Sequence, residues 1–90
     1  MATMVTHKHL SSRVRVGLVI GSGKLKPVWF ERTDTSATDR IYVKEICFVW
    51  FHQEGAAKII NFKVHDGVNS YCLSLNTNEF TWTMGIAEYN

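Results

Sequence analysis

The sequence predicts an all-β fold: about six antiparallel strands in a meander, forming a small partly open barrel or two-layer sandwich. Three observations predict it. Period-two alternation of apolar and polar residues recurs along the chain, Gly- and Asn/Asp-containing turn signals separate the runs at hairpin spacing, and no amphipathic helical period is present. The aromatic load adds curvature to the expectation. A flat sheet carrying three Trp, five Phe and three Tyr would leave one aromatic face wet.

The first strand is expected in RVRVGLVIG, residues 13–21, where Val14, Val16, Leu18 and Ile20 alternate with Arg13, Arg15, Gly17 and Val19. Gly21-Ser22-Gly23 then punctuates the chain, and KLKPVWFE, residues 24–31, follows as the second arm of a hairpin. Pro27 has no N–H for a ladder, which places this arm at a sheet edge. The polar stretch TDTSATD, residues 33–39, reads as a loop. RIYVKEICFVWFHQ, residues 40–53, is the longest strand-forming run, and every side chain from Ile46 to Phe51 is apolar. Apolar side chains on both faces predict a central strand covered on both sides.

Gln53-Glu54-Gly55 predicts the next turn. AKIINFKVH, residues 57–65, then alternates, with Ile60, Phe62 and Val64 facing in and Asn61, Lys63 and His65 facing out. Asp66-Gly67 is a strong turn signal, because both residues tolerate positive φ. SYCLSLN, residues 70–76, forms a fifth strand with Tyr71, Leu73 and Leu75 on one face. Phe80, Trp82 and Met84 alternate in a sixth.

Ninety residues with 46% hydrophobic content make one domain, placed at residues 13–90, behind a segment at residues 1–12 that shows no periodicity and is expected to be mobile. No apolar run is long enough for a membrane-spanning helix, and residues 1–13 lack the apolar core of a secretory signal. Cys47 and Cys72 have neither paired nor framework spacing, so a cytoplasmic protein with reduced thiols is expected. The surplus of aromatic residues and the Pro27-containing edge favour a homodimer.

No motif carries a reaction. Gly21 to Lys24 (GSGK) has Leu25 after the lysine and Pro27 where a phosphate-binding loop would start its helix, so a hairpin turn is expected instead. His7 and His9 lie in the first segment, His52 and His65 stand near strand ends, and no third ligand is evident for a metal. Cys47 is expected to be a buried, inert small hydrophobe. Cys72, on the face opposite Tyr71 and Leu73, is the one accessible thiol candidate. Glu45 interrupts an apolar face, where burial would demand an arginine partner and a rim position would not. No catalytic residue, metal or cofactor is assigned.

The basic residues are the best functional lead. Arg13, Arg15, Lys24, Lys26, Lys44 and Lys63 fall at strand positions, and Trp29 among the aromatics could stack on bases. A positive groove with aromatic platforms is how small barrels hold single-stranded nucleic acid. A net charge of +2 supplies little nonspecific attraction, and the ordinary role of such residues is to solvate an outer face. The expectation is thus a noncatalytic interaction module. Its ligand is nucleic acid on one reading, a protein partner or a second copy on the other.

The order Pro27-x-Trp29-Phe30, Tyr42-Val43-x-x-Ile46, Trp50, Phe62-x-Val64, Gly67, Tyr71-x-Leu73, Trp82 resembles a class of small, uncharacterised bacterial all-β proteins. The resemblance spans residues 24–84. It implies the fold and brings no catalytic residue with it. Ile41 and the length of the 33–39 loop depart from the pattern.

Overall fold

The computed structural model describes residues 12–33 and 39–86. It is all β, with seven antiparallel strands: β1 (Ser12–Gly21), β2 (Lys24–Arg32), β3 (Ile41–Tyr42), β4 (Glu45–Glu54), β5 (Ala57–His65), β6 (Ser70–Asn76) and β7 (Thr81–Ile86). They form one sheet in the order β3-β2-β1-β7-β6-β5-β4, curled into a half-barrel. The expected segment 1–12 lies outside the described residues except for Ser12, as do residues 34–38 of the polar loop and residues 87–90.

Each turn has a local cause. Ser22 (φ 52°) and Gly23 (φ 74°) join β1 to β2 with both central residues at positive φ, the two-residue geometry whose twist matches paired strands. The GSGK stretch is therefore a hairpin turn. Between β5 and β6, Gly67 adopts φ 104° and the Asp66 carboxylate accepts the N–H groups of Val68 (2.8 Å) and Asn69 (2.7 Å). Between β6 and β7, Asn76 Oδ1 accepts from the N–H groups of Asn78 and Glu79.

The concave face holds the core: Val14, Phe30, Phe62, Val64, Leu73 and Met84. Phe62, Val64 and Leu73 come from the alternation read along β5 and β6. Phe30 meets Tyr71 edge-on with ring centroids 5.1 Å apart, and Phe62 stacks at a tilt on Trp82 at 5.7 Å. Such pairs add about 0.5–1.5 kcal/mol each beyond the burial of their area.

One expectation fails. The run at residues 45–54 is not the central strand but the last strand of the sheet, bonded among the described residues to β5 alone. The strands that fill the centre are β1 and β7, brought together by pairs Ser12–Met84, Arg13–Thr83 and Val14–Trp82. Apolar side chains on both faces of a strand do not reveal whether both faces are covered. Along β4 every residue but Ile46 is exposed.

Candidate strand-binding cleft

The half-barrel is closed at one end and open at the other. Residues 41–54 run in one direction, but their partner changes at Val43 and Lys44. Val43 N–H donates to the carbonyl of Val28 on β2 (3.0 Å), and Lys44 N–H donates to the carbonyl of His65 on β5 (2.8 Å). From this fork β2 and β4 part. A bulge sits on each arm: Val28 is skipped between Gly17–Trp29 and Leu18–Pro27, and Cys47 between Ile46–Val64 and Phe48–Lys63. Bulges bend and twist the strand that carries them, and here they lie where the barrel wall splits.

The gap is a cleft of about 610 Å³. Its floor is Ile60 and Phe62, one wall is Gly23 of the turn with Lys24, Leu25 and Lys26 of β2, and the other is Ile46, Val49 and Phe51 of β4. Both walls are strand edges. β2 has outer partners at Trp29 and Phe30 and a last bond at the Val28 carbonyl, so the stretch Lys24–Pro27 has none among the described residues, in keeping with Pro27. On β4, Glu54 and Ala57 close a two-residue turn in which Gly55 has φ 63°. That closure commits the backbone groups of Glu54, His52 and Trp50 to β5, and it turns those of Gln53, Phe51 and Val49 to the open side.

The side chains along this edge are apolar on both faces. Val49 (44% exposed) and Phe51 (55%) lean into the cleft, with the Lys58 ammonium 4.8 Å from the Phe51 ring centre. Phe48 (62%) and Trp50 (36%) stand on the convex face with ring centroids 5.6 Å apart. An exposed hydrophobic edge of this length is a template for pairing with another chain.

The structure disperses the seven basic and aromatic candidates. Arg13 and Arg15 lie on β1, Lys24 and Lys26 near the tip of the β1–β2 hairpin, and Lys63 on β5. Lys44 packs over Gly67 at the closed end, its Nζ 3.8 Å from where a Cβ would be. Arg15 is bound to Glu31, with Nη2 and Nε both 3.1 Å from Oε2. The Trp29 ring is covered by the Arg40 guanidinium at 3.7 Å, and Arg40 Nε donates to the other Glu31 oxygen at 3.3 Å. Only Lys24 and Lys26 reach the cleft, as exposed cations on either side of inward-turned Leu25.

One other expectation is corrected: Cys47 is exposed, because β4 is an edge and its residue 47 is the bulge. Of the two alternatives for Glu45, the structure has the rim position, exposed near the closed end. The buried carboxylate is Glu31, 9% exposed and held by two arginines. His52 and His65 stand at opposite ends of the β4–β5 ladder, and no group of three metal-ligating side chains forms among the described residues.

A polar chain crosses the convex face. Ser74 Oγ donates to Asn61 Oδ1 (2.7 Å), and Asn61 Nδ2 donates to His52 Nδ1 (2.8 Å). His52 Nε2 then lies 3.0 Å from Glu54 Oε2. These contacts require the tautomer protonated on Nε2. The Ser74 hydroxyl thus bonds to an amide and not to the imidazole, so His52 is not placed to activate that hydroxyl. Cys72 lies 3.9 Å from the same hydroxyl, and burial pushes its thiol above the ordinary range, away from thiolate. Asn61, 4% exposed, is thereby a satisfied buried amide.

Sequence reasoning missed the edge itself: Phe48, Val49 and Phe51 as accessible groups. A signal was present in Glu45 and Glu54, which flank the apolar run as charged gatekeepers do at exposed strands. Comparison with protein-family models, with curated proteins and with solved structures found no match to this chain.

Proposed function

We propose that the protein is a noncatalytic interaction module that binds protein by accepting an extended segment at the β4 edge. The observation that carries this is the exposure of Phe48, Val49, Trp50 and Phe51 on a strand that, among the described residues, is bonded on one side only. Backbone N–H and C=O groups give such a site its affinity, and alternate side-chain contacts give it specificity. Nucleic acid would leave that backbone edge unmatched, and two of its expected contacts, Arg15 and Trp29, already have partners. A second copy approaching edge-on would bring a whole sheet against the β1–β2 hairpin that forms the opposite wall. A single segment meets no such obstacle.

The test is selection of binders from displayed random 12-residue peptides, followed by amide hydrogen exchange of the complex. Binding should slow exchange at Val49, Phe51 and Gln53, whose N–H groups face the open side. Peptides that bind without protecting these three amides would refute strand addition at β4. Sedimentation of the protein alone, across concentration, separates a homodimer from a monomer with an open edge.

A further inference from the structure

Building on the strand-addition reading, we infer that the cleft selects extended peptides in which apolar residues alternate with acidic ones. A strand laid along β4 has side chains pointing alternately to the two faces of the sheet. Those turned inward enter the cleft against Val49, Phe51 and Leu25, over Phe62. These four side chains are apolar, so a charge set among them would be desolvated, with the Lys58 ammonium beside the Phe51 ring as the nearest cation on that face. Side chains turned outward emerge between two different walls. On the β4 side stand Phe48 and Trp50; on the β2 side stand Lys24 and Lys26, both exposed. The two lysines make no ion pair among the described residues, whereas Arg15 and Arg40 are bound to Glu31. Charge complementarity therefore points to carboxylates on the outward positions.

The arrangement also sets the direction of entry. β2 and β4 meet at the Val43–Lys44 fork, so the cleft narrows to nothing at one end and opens at the other. A peptide entering from the open end pairs with β4 and passes beside the lysines, completing the barrel wall that the two bulges interrupt.

The probes are fluorescein-labelled (Val-Glu)4, (Val-Lys)4 and the block sequence Val4Glu4, each titrated by anisotropy at low and moderate salt. (Val-Glu)4 should bind at least tenfold more tightly than (Val-Lys)4 and more tightly than the block sequence. Its affinity should fall with salt, since exposed charge pairs are screened. The double variant Lys24→Glu/Lys26→Glu should lose about tenfold for (Val-Glu)4 and gain for (Val-Lys)4. These lysines are exposed, so the variant is expected to fold. Equal binding of both alternating peptides, with Val49, Phe51 and Gln53 protected, would overturn the charge preference and leave strand addition standing. Absence of protection at those amides would remove both. Tighter binding of labelled single-stranded oligonucleotide than of (Val-Glu)4, lost in the same variant, would overturn the peptide assignment in favour of nucleic acid.

Discussion

The indole of Trp29 lies across the backbone of Gly17, its cross-strand partner on the convex face. A Cβ on residue 17 would collide with Nε1 and Cε2 of that ring. On its other side the ring is held by the Arg40 guanidinium, itself bound to Glu31. Gly17 is thus the slot that lets the Trp29–Arg40–Glu31–Arg15 stack lie flat on the sheet, next to the Val28 bulge.

Gly17→Ala should therefore destabilise the protein by about 1–3 kcal/mol, the usual cost of overpacking, although alanine suits a strand no worse than glycine. Urea unfolding followed by tryptophan fluorescence reads the loss. A neutral or stabilising substitution would show that Trp29 moves aside freely.

Nothing in the sequence announces that slot: a glycine in a strand run reads the same whether it faces solvent or a tryptophan. What was legible is whatever local chemistry dictates. The Ser22-Gly23 and Asp66-Gly67 turns, the inward sets Ile60-Phe62-Val64 and Tyr71-Leu73-Leu75, and the position of Pro27 all follow from φ preferences and period two. The order of strands does not. The β1–β7 pairing joins residues some seventy positions apart, and no local pattern encodes it. Because that pairing fills the centre of the sheet, the most apolar strand is displaced to the edge, and the candidate site changes with it. Lys24 and Lys26 keep a place at the cleft, while Arg15 and Trp29 are drawn into the Glu31 stack.

Asn61 is buried yet faces away from the core, where it links Ser74 to His52. Asn61→Ala should cost about 1 kcal/mol, near the low end for orphaned partners, because water reaches His52. The loss should appear as a lower urea midpoint with an unchanged slope.

The Asp66 carboxyl is held below its ordinary value of 3.8, first by the Asn69 N–H and then by the Val68 N–H, with burial opposing them. A lowered folded-state pKa means the ionised form is favoured in the fold. Its contribution is fully present above about pH 4 and is lost as pH falls through the lower, folded value. Asp66→Asn can accept the same two N–H groups but does not titrate. The variant should melt below the wild type at pH 6, and the difference should narrow as pH falls to 2. A constant gap in Tm from pH 6 to 2 would show that ionisation of Asp66 contributes nothing to the turn.

The two thiols should differ in reactivity, and the difference reports on the cleft. Cys72 is half-buried on β6 with its thiol raised by desolvation, so little thiolate is available there. Cys47 is exposed at the β4 bulge, beside the fork where the barrel wall opens. Iodoacetamide at pH 8 should therefore alkylate Cys47 well ahead of Cys72, as read by mass spectrometry of proteolytic peptides over time. A strand seated along β4 would pass next to residue 47, so saturating (Val-Glu)4 should slow alkylation of Cys47 and leave Cys72 unchanged. Equal slowing at both cysteines would indicate general tightening of the sheet. Slowing at Cys47 alone places the peptide at the open edge, by a readout independent of the Lys24 and Lys26 charges.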